Sequence, residues 1–124
     1  MATKNLTIDD FQSTVETSDI VLVDFWAEWC GPCKMFGPIY EKASEKHDDV
    51  VFGKVDTEDQ QQLAGSFGIR SIPTLMAFRE GVLVFAQAGA LPEAAVEELV
   101  TQVRTLDMDE VRAKIAEHDA AHAE

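Results

Sequence analysis

The only two cysteines of the chain stand two residues apart as Cys30-Gly31-Pro32-Cys33. They directly follow Ile20-Val21-Leu22-Val23-Asp24-Phe25-Trp26, an apolar run with an aspartate in its middle. Two thiols at this spacing have three uses. As a structural staple they would close a very short loop, worth only about 2 kcal/mol on chain-entropy grounds. As half of a zinc site they would need two more ligands. The one paired candidate, His118 with His122, lies far down the chain, where a solvated helix face is the simpler reading. As a redox dithiol the spacing has a physical reason. If a strand ends at Trp29 and a helix begins within the Cys-x-x-Cys, Cys30 meets free backbone N–H groups and the positive end of the helix dipole, both of which stabilise a thiolate. Pro32 suits a first helical turn because it has no N–H to waste. Cys33 then falls one turn in, near enough to close a ring. On this reading Cys30 is an accessible nucleophile and Cys33 a more sheltered resolving thiol.

The elements that must position these residues can be read from periodicity. Residues 20–26 are nearly continuously apolar, as expected of a strand buried on both faces. A helix is expected from the Cys-x-x-Cys to about His47, kinked at Pro38, with Gly37 softening it further. Upstream, Thr7 reads as the N-cap of a helix carrying Ile8, Phe11 and Val15. Downstream, Val50–Val55 reads as a second inner strand, and Asp56 as the cap of a helix with Leu63, Ala64 and Phe67. Gly68 to Pro73 reads as a loop. Residues 74–79 and 82–86 form two strands of an antiparallel hairpin around Glu80-Gly81. Pro92 opens a helix whose Val96, Leu99, Val100 and Val103 make one apolar stripe. The order α-β-α-β-α-β-β-α predicts an α/β domain, with parallel strands first and an antiparallel hairpin at one edge. Beyond residue 104, Asp107 to Glu110 is a capping-box pattern opening a short helix with Met108, Val111 and Ile115 on one face. The last residues, HDAAHAE, are expected to fray.

The totals fit one globular domain. The chain has 124 residues, 46% of them hydrophobic and 27% charged, enough for a core without a disulfide framework. A net charge of −13 disfavours nucleic-acid binding and serves solubility. The N-terminal residues show no apolar targeting segment, and the longest apolar run is too short to span a bilayer. A cytoplasmic, reducing location is the resulting expectation, and with it a functional rather than a structural use of the thiols.

Trp29-Cys30-Gly31-Pro32-Cys33-Lys34 closely resembles the active-site motif of the thioredoxins. The likeness extends over Asp24 to Lys34, through Phe67 to Phe78 (FGIRSIPTLMAF), and to Ala88-Gly89-Ala90-Leu91. It covers about residues 5–104, and the element order matches the thioredoxin fold: a mixed central sheet with helices on both faces, here with a short C-terminal helical extension. Residues 1–104 are thus expected to form the thioredoxin domain and 105–124 an acidic extension, with six acids and two bases.

The resemblance implies a role for each matching position. Cys30 is the nucleophile and Cys33 the resolving thiol. Asp24 matches a buried aspartate beneath the disulfide; burial should raise its pKa and suit it to act as general base for Cys33. Lys54 matches a lysine that modulates this aspartate. Pro73 matches a cis-proline, although the sequence by itself suggests only a loop proline. Trp29, Gly31, Pro32, Ile72, Gly89 and Ala90 match an apolar rim that contacts partner proteins, and Trp26 a tryptophan packed beneath the site. Ser71 departs from a common glycine, and Gly37 stands where a larger residue is common. The implied activity is protein disulfide reduction, with an NADPH-dependent thioredoxin reductase as recharging partner, protein disulfides as substrates, no bound cofactor or metal, and a monomer. A disulfide oxidase or isomerase is the rival enzyme, and a binding module with incidental thiols the rival of another class.

Overall fold

The computed structural model describes residues 2–122. Five strands form one sheet in the order β1-β3-β2-β4-β5. They are β1 (Thr3–Asn5), β2 (Ile20–Trp26), β3 (Val51–Asp56), β4 (Thr74–Arg79) and β5 (Val82–Ala88). β1 and β2 both run parallel to β3, and β4 runs antiparallel to β2 and to β5. The helices are α1 (Phe11–Thr17), α2 (Gly31–Lys46), α3 (Gln61–Ser66), α4 (Glu93–Arg104) and α5 (Met108–His122).

β2 is the central strand and has the boundaries of the apolar run, ending at Trp26 rather than continuing to Trp29. Because side chains alternate along a strand, it feeds two separate cores. Ile20 and Leu22 pack with Phe36 and Tyr40 of α2 and with Val96 and Val100 of α4. Val21, Val23 and Phe25 pack with Phe11 and Val15 of α1 and Leu63 of α3. Asp24 lies on the α2 face between them in sequence, and only 1% of it is exposed. The hairpin turn places both Glu80 and Gly81 at positive φ, 52° and 80°, the tight turn whose twist matches the strands it joins.

Several expectations change. The first element is a strand, β1, which has no apolar alternation to betray it; it is held because the Leu6 N–H donates to the Lys54 carbonyl at 2.8 Å and Leu6 fills the space over Gly53. Thr7 does not cap α1. The helix starts at Phe11 after a turn in which the Asp10 carboxylate accepts the Thr7 N–H at 2.7 Å, so Ile8 lies outside the helix and is 45% exposed. Asp56 likewise ends β3 and accepts the Glu58 N–H at 2.9 Å, capping a turn ahead of α3. Phe67 follows the end of α3 rather than lying within it. β5 runs two residues further than expected, to Ala88. Fraying is expected from His118, whereas within the described residues α5 continues through His122. The His122 side chain lies outside the described residues.

Asp107 does cap α5, accepting the Glu110 N–H at 3.2 Å. Met108 is buried, and Arg112 pairs with Glu80 of the hairpin turn. That turn adjoins the start of β2, because Arg79 pairs with Ile20. α5 is therefore anchored at the end of the sheet opposite to the cysteines, which follow the end of β2.

Candidate active site

The chain leaves β2 at Trp26, turns through Ala27 to Trp29, and enters α2 at Gly31 with Cys30 as its N-cap. Pro32 occupies the first turn, where no intrahelical partner is needed. The Cys33 N–H donates to Cys30 Sγ at 3.2 Å. The helix start thus directs a backbone donor at the sulfur of Cys30, an arrangement that stabilises negative charge there. Cys30 and Cys33 are joined as a disulfide, with Cα atoms 5.2 Å apart.

The accessibility expected of the two thiols does not hold for this oxidised pair. Cys30 is 3% exposed and Cys33 5%, so neither is more sheltered than the other. The cover over Cys30 comes from the loop before β4: the Ile72 carbonyl oxygen lies 3.6 Å from Cys30 Sγ, and Ile72, Ala27 and Trp26 pack around the pair. The Ile72–Pro73 peptide bond is cis. The Gly89 N–H donates to the Pro73 carbonyl at 2.8 Å, with φ at +105°, a backbone that side-chain-bearing residues rarely adopt. This bond brings Gly89 and Ala90 to the same end of the sheet as the disulfide. Gly31, Pro32, Gly89 and Ala90 are exposed, and Ile72 is half-buried.

Trp29 is 68% exposed, an unusual state for an indole. Its N–H donates to Glu58 Oε1 at 2.8 Å, fixing the ring beside the cysteines. Glu58 had no distinguishing signal in the sequence: it is one of several acids in the turn after β3, and only folding sets it against Trp29.

Asp24 and Lys54 are register partners on β2 and β3. Burial pushes the Asp24 carboxyl up from 3.8 to about 7, and the Lys54 charge opposes this in part. Neither Asp24 oxygen has a hydrogen-bond partner among the described residues, and the same holds for the Trp26 indole nitrogen. The Lys54 ammonium sits over the Trp26 ring, 4.8 Å from its centroid. Tyr40, buried on α2, donates its hydroxyl to the Gly53 carbonyl at 2.8 Å; burial first, then the charges of Asp24 and Glu41, raise its pKa well above the usual phenol value. A cleft of about 170 Å³ is lined by Cys33, Trp26 and Lys54. A groove of about 450 Å³ on the other face of the sheet, lined by Phe11, Val15 and Leu63, holds no group able to exchange thiols.

A buried carboxyl poised near neutrality, a dithiol at a helix start and an exposed indole beside it constitute a site for thiol–disulfide exchange. The thioredoxin family model matches residues 2–102. The chain is 62% identical over 119 residues to a putative thioredoxin 2 of Streptomyces coelicolor, covering 96% of this chain and 89% of that protein. It is 44% identical over 95 residues to a thioredoxin of Haemophilus influenzae, covering 75% and 89%. Among solved structures it is similar to the thioredoxin of Malassezia sympodialis, with a TM-score of 0.73 and 38% identity over 81% of this chain and 89% of that one. It is also similar to the thioredoxin of Plasmodium falciparum, with a TM-score of 0.75 and 35% identity over 81% and 98%.

Proposed function

The chain belongs to the thioredoxin family and is a thiol–disulfide oxidoreductase, and from this we propose that it works as a protein disulfide reductase recharged by an NADPH-dependent thioredoxin reductase. The observation that carries the reading is the N-cap geometry of Cys30, whose sulfur accepts the Cys33 N–H. In the reduced protein the Cys30 thiolate attacks a substrate disulfide. One new S–S bond forms, the substrate S–S bond breaks, and the first substrate sulfur leaves as a thiolate. Asp24 then accepts the Cys33 proton, directly or through water. The Cys33 thiolate attacks Cys30 Sγ, the mixed disulfide breaks, and the second substrate sulfur departs. The protein is left with the Cys30–Cys33 disulfide, which two electrons from the reductase reopen.

Lys54 modulates Asp24 by its positive charge. Trp29, Gly31, Pro32, Ile72, Gly89 and Ala90 form the surface against which an extended substrate segment lies, with the buried Pro73 holding the loop behind Ile72. Residues 1–104 act as the redox domain, and 105–124 form an acidic extension outside the exchange chemistry. The protein works as a monomer in the cytoplasm.

Turnover of insulin with NADPH and a thioredoxin reductase tests this. Wild-type protein should sustain it, and Cys30→Ser should abolish it. Turnover that survives Cys30→Ser would sink the mechanism, and a redox couple close to the strong protein oxidants would sink the direction.

A further inference from the structure

The chain sets 10 bases against 23 acids, and four of the bases are arginines. Three of these are held by carboxylates: Arg79 by Asp19 at 3.1 Å, Arg104 by Asp49 and Arg112 by Glu80. The fourth, Arg70, is exposed and has no side-chain hydrogen bond or ion pair among the described residues. Where carboxylates are so abundant, an arginine without one is left for something outside the chain.

Its position supplies the use. Arg70 stands two residues before Ile72, whose carbonyl oxygen lies 3.6 Å from Cys30 Sγ. With Ser71, the buried Met76, and Ala86 and Ala88 of β5, it lines a groove of about 260 Å³. Ser71 leads directly into Ile72, and Ala88 into Gly89, whose N–H is bonded to the Pro73 carbonyl. The groove therefore adjoins the rim beside the disulfide. Charge across that rim is uneven. β3 and β4 flank β2 on opposite sides. Arg70 lies in the loop before β4, whereas Glu28, Asp56 and Glu58 gather around Trp29 on the β3 side, with Lys34 among them.

An extended segment advances about 3.3 Å per residue. A residue two positions from a cysteine seated at Cys30 then lies about 7 Å away, a distance matched by the two residues from Ile72 to Arg70. A carboxylate at that point meets the planar guanidinium fork, which binds it through two parallel N–H donors. We propose that Arg70 is a specificity residue: it favours substrate segments that carry an aspartate or glutamate two residues to one side of the attacked cysteine. The acids around Trp29 disfavour the same charge on the other side. The inference rests on the reading that Cys30 attacks a substrate disulfide on this face. It runs against the field of the whole molecule, because a net charge of −13 by itself attracts basic segments.

The test uses the reduced full-length protein and short peptides whose single cysteine is joined to a chromogenic aryl thiol. The Cys30 thiolate attacks the peptide sulfur, because the aryl thiolate is the better leaving group. A Cys30–peptide disulfide forms, the peptide–aryl S–S bond breaks, and the aryl thiolate departs with its absorbance. Glutamate, glutamine or lysine is placed two residues before or two residues after the cysteine. At one of these positions the glutamate peptide should react about threefold faster than the glutamine peptide and about tenfold faster than the lysine peptide at low salt, the range of a partly exposed charge pair. Arg70→Gln should erase this preference, Arg70→Glu should reverse it, and salt at about 0.5 M should flatten it. Lys4→Gln removes an equal charge from β1, which β3 separates from β2, and should leave the preference intact. No charge preference, a preference for lysine at both positions, a glutamate preference that persists in Arg70→Glu, or an equal loss in Lys4→Gln would overturn the proposal and leave the exchange reading standing. Aryl thiol release that survives Cys30→Ser would overturn the exchange reading, and this proposal with it.

Discussion

Asp24 and Lys54 face each other across the two inner parallel strands, yet the ammonium of Lys54 rests 4.8 Å from the centre of the Trp26 ring and the Asp24 oxygens accept no hydrogen bond among the described residues. The lysine therefore acts on the aspartate through its field rather than as a bonded partner. A cation over an indole face is held by the ring quadrupole, so the arrangement keeps a positive charge nearby without closing an ion pair that would hold the carboxylate ionised.

Stability should fall as the pH rises through the range in which Asp24 ionises only in the unfolded chain. Its folded pKa is about 7 against an ordinary 3.8, so between these values the native state holds the extra proton and each rise in pH favours unfolding. Asp24→Asn should be more stable than wild type at about pH 8 by up to about 4 kcal/mol, with the difference vanishing near pH 4. Urea denaturation of both proteins in the oxidised form across this range measures it. A difference independent of pH would refute the assignment of the titration to Asp24.

Removing the Lys54 charge should push Asp24 further up, because the lysine is the one influence that lowers it. In Lys54→Met the carboxyl midpoint, followed by carbon NMR of labelled aspartate, should rise by at least half a unit, on the order of 1 kcal/mol. An unchanged midpoint would mean that the charge is fully screened.

Glu58 holds the indole of Trp29 in place. Glu58→Ala should lower kcat/KM for a protein disulfide by about three- to tenfold, the net worth of one ordinary hydrogen bond. It should leave reduction of a small-molecule disulfide nearly unchanged, since a small substrate has no need of the indole platform. Equal losses on both substrates would place Glu58 in the chemistry instead.

The buried Met108 should tie α5 to the domain for stability alone. Met108→Ala should cost about 2 kcal/mol in denaturant unfolding. Insulin turnover at a temperature where both proteins are folded should match, because α5 is anchored at the far end of β2, about 20 Å from the cysteines at the strand's rise per residue. A matching loss of turnover would show that the extension reaches the site.

Much of this was legible because the signals were local. β2 announces itself by a nearly unbroken apolar run whose first six positions are buried, α4 by its apolar stripe, and the dithiol by its spacing. What escaped depended on partners distant in sequence. β1 is a three-residue strand of polar character, Thr3–Asn5, that exists only because β3 offers an edge. Thr7 and Asp56 do not cap helices as the local pattern suggests, because each lies in a turn closed by an aspartate, Asp10 accepting the Thr7 N–H and Asp56 the Glu58 N–H. The equal burial of Cys30 and Cys33 follows from the Ile72 loop closing over the pair, and the Glu58 contact with Trp29 from the turn after β3. Neither leaves a trace in the local pattern. The family likeness anticipated the cis bond at Pro73, which the residues themselves did not.

The central position of β2 also governs how the molecule should fail. This strand is paired on both sides and buried on both faces, and the redox centre hangs from its end. Heat or denaturant can peel away β1 or α5 at the margins without disturbing that centre. Loss of exchange activity should therefore coincide with the last, cooperative collapse of the sheet rather than with early loosening at its edges.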